Sequence, residues 1–130
     1  MEFITDRTKA DVLLGNAKGG YGYEDLNRVE TAVAELSTLL GLNLTTKTDW
    51  SMSSLPLAAD MDRYLGNVAA IRTKAISLGA SSVFPALPSS MVNLSWTGAN
   101  NIEKVLELAY KAYRSKLGVF VLGSSTLGGV

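Results

Sequence analysis

Carboxylates are the first candidates for chemistry in this chain: Glu24 and Asp25, Glu30, and the pair Asp60 and Asp62. Acid/base catalysis or metal binding needs two such groups to converge. On a helix, residues i and i+2 point apart, so Asp60 and Asp62 cannot share a proton or a cation. Both acidic groups instead open apolar-periodic segments, where the helix dipole favours negative charge. Asp25 and Asp60 can also pair with Arg28 and Arg63, three residues on.

Other catalytic constellations fail on residue type. The chain has no histidine and no cysteine. That removes the usual zinc, haem and iron–sulfur ligand sets and the histidine-activated serine and cysteine nucleophiles. Gly19-Gly20-Tyr21-Gly22 lacks the Gly-Lys-Ser/Thr ending of a phosphate loop and reads as a turn. Gly123-Ser124-Ser125-Thr126-Leu127-Gly128 lacks the G-x-S-x-G spacing of a hydrolase elbow. No catalytic residue, cofactor or metal is expected, and the chain is not read as an enzyme.

Twelve basic and twelve acidic side chains give a formal net charge of zero. A nucleic-acid-binding surface would need a basic patch that this balance does not supply. The first residues lack the basic and apolar runs of a signal peptide, and no segment approaches the roughly 18 apolar residues of a spanning helix. Synthesis in the cytoplasm, with neither nucleic acid nor membrane as partner, is the expectation.

The elements that must position any functional residue are helical. With 130 residues, 47% of them hydrophobic, the chain can bury a core without cross-links. Thr5 or Asp6 can cap a first helix with Ala10, Leu13, Leu14 and Ala17 on one stripe, stopped at Gly19-Gly20. Leu26, Val29, Val33, Leu36 and Leu40 mark a second, ended by Gly41. Pro56 suits the first turn of a third, where Met61, Leu65, Val68, Ile71, Ala75 and Leu78 form the stripe; Gly66 within it suggests a helix crossing. Asn100 and Glu103 have capping-box spacing ahead of a fourth, with Ile102, Val105, Leu106, Ala109, Tyr113 and Leu117 on its stripe and Gly118 at its end. Asn43–Ser54 and Ala80–Thr97 read as long ordered connections. Val119-Phe120-Val121-Leu122 is β-prone and has no hairpin partner within the tail, so it must pair elsewhere.

The second and third helices match at an offset of 35 residues: Asp25 with Asp60, Arg28 with Arg63, Val33 with Val68, Leu36 with Ile71. The fourth repeats the pattern weakly around Asn101-Ile102-Glu103-Lys104. A bundle of repeated helical units follows. The expected fold is all-α, about four helices over residues 1–118, with a short strand-like extension at 119–130.

Four aromatics, Tyr21, Tyr23, Trp50 and Trp96, flank helix starts. Each is a core anchor if buried and an interface anchor if exposed. With Val119, Phe120, Val121, Leu122 and Leu127 they form the candidate interface set.

Three segments carry a family resemblance: Phe3-Ile4-Thr5-Asp6-Arg7-Thr8, Tyr23-Glu24-Asp25-Leu26-Asn27-Arg28-Val29-Glu30 and Thr45-Thr46-Lys47-Thr48-Asp49-Trp50. Together they resemble small helical proteins of tailed bacteriophages and prophages of Gram-positive, often gut-dwelling, bacteria. Asp60-Met61-Asp62-Arg63-Tyr64-Leu65 departs from the Asp-Leu-Asn-Arg-x-Glu form of the first copy. The resemblance implies a structural component of a tail, baseplate or fibre assembly, located in the virion, a homo-oligomer docked on other tail proteins. An adaptor or host-recognition module that holds a receptor-binding fibre is the alternative.

Overall fold

The computed structural model describes residues 1–80 and 83–129, with side chains described as far as Lys116. Four helices follow in order: α1 (Lys9–Leu14), α2 (Tyr23–Leu39), α3 (Ala58–Ser77) and α4 (Trp96–Gly129). Among the described residues there is no strand. The core is made where α2, α3 and α4 pack on one another. Leu26, Val29, Val33 and Leu36 of α2, Val68 and Ile71 of α3, and Ile102, Val105, Leu106 and Ala109 of α4 are all buried. These are the apolar stripes of period three and four, now facing inward.

All three packed helices point the same way. The start of α2 at Tyr23, the start of α3 at Ala58 and the lead-in to α4 at Met91 to Leu94 line a single groove at one end. Side-chain register agrees. Arg28, five residues past the start of α2, meets Glu103, seven past the start of α4. Arg63, five past the start of α3, meets Glu30, seven past the start of α2. The sequence repeat is therefore a structural one, with Arg at one level reaching a buried Glu on the neighbouring helix.

Parallel helices explain the two long connections, residues 40–57 and 78–95. Helices of 17 and 20 residues are roughly 26 and 30 Å long. The chain must return that distance before starting again, and about 18 extended residues span it with length to spare. Gly41 and Gly79, at φ +71° and +86°, turn the chain out of α2 and α3; a β-carbon is disfavoured in that left-handed region.

Each of α1, α2 and α3 begins with an aspartate at its third position accepting from the backbone N–H ahead of the helix: Asp11 from Thr8 (2.9 Å), Asp25 from Gly22 (2.9 Å) and Asp60 from Leu57 (2.9 Å). Each of these carboxylates lies at the positive end of its own helix dipole.

Several expectations are corrected. Helix α1 has only six residues and none is buried; Leu13 and Leu14 are each 77% exposed. It is capped by Thr8, not by Thr5 or Asp6, and ends in a left-handed Gly15. So short a helix is held by local bonds: Asn16 donates to Asp11 (3.0 Å) and accepts from Gly19 N–H (2.8 Å). Gly19 is required there, since a β-carbon on it would meet the Asp11 carbonyl oxygen at 2.3 Å. Gly66 faces open space rather than a crossing helix.

Asn100 does not cap α4, which starts earlier, at Trp96. Its side chain instead accepts from the Arg7 backbone N–H (3.0 Å) and donates to the Arg7 carbonyl (2.9 Å). The strand expected at Val119–Leu122 is replaced by helix, because α4 runs through Gly118 to Gly129. An isolated strand finds no ladder in its own chain, whereas each residue added to an existing helix closes one more bond. At 34 residues α4 is the longest of the four helices.

Candidate functional site

Two buried carboxylates organise the end of the bundle where the helices start. Glu103 is fully buried. It accepts from Arg7 Nη2 (2.7 Å), Arg28 Nε (2.9 Å), Arg28 Nη2 (2.8 Å) and the Ile4 backbone N–H (2.9 Å). Asp25 Oδ1 completes the cluster, 3.2 Å from Arg7 and 2.6 Å from Arg28. Two guanidinium groups against two carboxylates leave the cluster neutral, which is what burial of charge demands. Arg7 also lies over the Tyr21 ring, 5.4 Å from its centroid. Its Nε is buried without a partner. The hydrogen bonds that Arg28 donates to Glu103, foremost, raise the Arg28 pKa above the usual arginine value.

Glu30, 1% exposed, is the second centre. Arg63 pairs with it through both terminal nitrogens (2.6 and 3.1 Å), Trp50 donates its indole N–H (2.6 Å), and Lys47 its backbone N–H (3.1 Å). Asn27 exchanges two 2.8 Å bonds with the Trp50 backbone. Arg63 and Asn67 both donate to the Thr45 carbonyl (2.9 and 2.7 Å). The connection 43–50 is thereby fastened to α2 and α3 along its length. Asp25 does pair with Arg28 as its spacing suggests, but Arg63 turns to Glu30 rather than to Asp60. Every oxygen of Glu30 and Glu103 is thus occupied by a donor.

Above these clusters lies the groove, about 900 Å³ in volume, between the starts of α2 and α3, residues 50–58 and residues 90–94. Tyr21, Tyr23 and Trp50 of the predicted interface set come together in its wall. The Tyr21 and Tyr64 hydroxyls hydrogen-bond to each other behind it. Burial, first of all, raises the pKa of both phenols well above the usual tyrosine value. Trp50 is only 5% exposed and its N–H is committed to Glu30. Its role is to anchor the connection, the core alternative of the two open to it. Lys47 covers its ring at 4.9 Å.

Trp96 lies elsewhere, half-buried beside Arg7 and Tyr21 around a separate cavity of about 180 Å³. Val119, Phe120, Val121, Leu122 and Leu127 belong to the backbone of α4, and their side chains lie outside the described residues.

The groove rim was missed from sequence. Met52 is 88% exposed, Leu57 62% and Val92 77%, and all three line it together with Met61 and Met91. The available signal was methionine and leucine set among serines in stretches otherwise polar. Asp62 is the one charged residue in the lining. Such a surface suits apolar packing by flexible, polarizable side chains rather than bond-making chemistry. Among the described residues no three carboxylates gather as a metal cluster, and no described helix is long and apolar enough to cross a membrane.

Comparison of the chain with protein-family models, curated proteins and solved structures finds no significant match.

Proposed function

We propose that this protein is a structural component of a bacteriophage tail, baseplate or fibre assembly, acting by docking on neighbouring subunits in the virion. The observation that carries the reading is an apolar, methionine-rimmed groove on a framework whose buried charges are internally paired. A groove of this kind on a rigid base favours recognition of another protein surface.

The family-like segments support the same reading, because their roles here are architectural. Arg7 ties the N-terminal arm to α2 and α4, Asp25 through Glu30 bind the clusters, and Thr45 through Trp50 fasten the connection. Repetition of modest contacts around a symmetric particle supplies the strength that one contact lacks.

The test is the composition of purified particles. The chain is expected in gradient-purified virions at a fixed copy number, with an antibody against it decorating the tail in electron micrographs. A version ending at Gly118 should fold and fail to be incorporated. Virions that lack the chain would overturn the reading.

A further inference from the structure

We infer that the N-terminal arm, residues 1–8, exchanges between copies of this chain: the Asn100/Glu103 face of α4 receives the arm of a second copy through the contacts it makes with its own. This joint deepens the assembly reading above, on which it rests, by naming where two copies meet. Two segments of the chain dock by one scheme. Ile4-Thr5-Asp6-Arg7-Thr8 and Lys47-Thr48-Asp49-Trp50-Ser51 are alike at an offset of 43 residues. Each lies on a helix that carries Asn-x-x-Glu, Asn100/Glu103 on α4 and Asn27/Glu30 on α2. The first residue gives its backbone N–H to Oε1 of the glutamate, Ile4 to Glu103 (2.9 Å) and Lys47 to Glu30 (3.1 Å). Three residues on, the side chain donates to Oε2, Arg7 at 2.7 Å and Trp50 at 2.6 Å, while the backbone N–H and carbonyl exchange bonds with the asparagine. An arginine of the neighbouring helix, Arg28 or Arg63, completes each face.

Chain order separates the two. The 43–50 connection lies on α2, the helix the chain has just left, so continuity fixes its place. The arm lies on α4, far along the sequence, and nothing covalent chooses between that α4 and the α4 of another copy. The chain also carries slack at this joint. Seven residues, 51–57, lead from Trp50 to α3, whereas fifteen, 8–22, lead from Arg7 to α2. None of residues 8–20 is buried, and α1 is held by bonds within residues 8–19. The excursion can therefore swing outward as a unit without uncovering core. Fifteen extended residues reach roughly 50 Å, enough to bridge to a second molecule. An exchanged joint repeats the contacts of the closed one, so concentration decides between them, and reciprocal exchange of two arms gives a closed twofold dimer.

The unaltered full chain carries the main test. Light scattering at rising concentration should show a dimer of twice 13.8 kDa. In dimers reassembled from isotope-labelled and unlabelled copies, isotope-filtered nuclear Overhauser effects should connect Phe3 and Ile4 of one copy with α4 of the other. A variant lacking residues 10–17 sharpens the result. It loses no buried side chain and keeps seven residues between Arg7 and Tyr23, as many as lie between Trp50 and Ala58. With the slack removed it should keep its helical circular dichroism and stay a monomer. A full chain monomeric at every concentration overturns the exchange. So does a dimer in which every contact between arm and α4 is internal to one copy, or a shortened variant that dimerises as the full chain does. The particle-component reading stands or falls separately, on the virion composition, so the two failures are distinguishable.

Discussion

Glu103 and Glu30 occupy matching levels of neighbouring helices, yet their surroundings differ in one decisive respect. Glu103 holds two arginines, one of them 2% exposed in its side chain, and receives the N-terminal arm through Ile4. Glu30 holds one arginine, 24% exposed, and fills its remaining capacity with neutral donors from the 43–50 connection. The first centre is a closed ionic cluster; the second opens to water on one side. The comparison teaches that the repeated Arg-to-Glu contact is put to one use twice, fastening a non-helical segment to the bundle, with a different degree of desolvation each time.

The sharpest way to break the comparison is Glu103→Ala. It strands Arg7 and Arg28 together, and breaking a buried ion pair from one side typically costs about 3–5 kcal/mol. Urea unfolding should report a loss in that range, with early proteolysis within residues 1–8. Glu30→Ala should cost less, about 2–3 kcal/mol, because Arg63 can turn to solvent; the Trp50 emission should shift to the red as its connection loosens. An equal or greater loss for Glu30→Ala would reverse the ranking of the two centres.

Comparing Asp25 with Asp60 sharpens the same point at lower energy. Both cap a helix through the preceding backbone N–H, but only Asp25 also pairs with the buried arginines. Asp60→Ala should cost about 1 kcal/mol, the ordinary worth of a cap, and Asp25→Ala measurably more. Equal thermal shifts for the two would show that the Asp25 ion pairs add nothing.

The smallest effect concerns pH. Tyr21 and Tyr64 are held protonated above their usual range by burial. The unfolded chain releases those protons from about pH 10, while the folded chain keeps them. Stability should therefore be intact below that pH and fall as pH rises beyond it. Tyr21→Phe should flatten the fall in the urea midpoint between pH 10 and 11.

Much of the helical framework was legible before any fold was known. Leu26 through Leu40 and Met61 through Leu78 follow the helical period, and Gly41 and Gly79 end their helices in left-handed turns. The offset of 35 residues separates the starts of α2 and α3. Less was legible where one short motif serves two physical ends. Asn100 and Glu103 have the spacing of a cap, but a neighbour distant in sequence, Arg7, claims both. Val119–Leu122 has strand composition, yet a helix already under way extends through it. The stripe on α1 has helical spacing and no partner, so it stays in water. The groove was the least visible part, because its lining comes from four separate stretches.

Period, capping residues and glycine placement are local properties, set by each residue and those within a turn of it. The chain therefore carries in its own order the existence and approximate limits of α2, α3 and the central part of α4, the repeat between them, and the absence of histidine and cysteine chemistry. Direction and pairing are not local. That three helices run parallel, that Arg28 and Arg63 reach Glu103 and Glu30 across helices, that Trp50 turns inward while Met52 faces water, were decided by which distant surfaces came together to bury apolar area and neutralise charge at once.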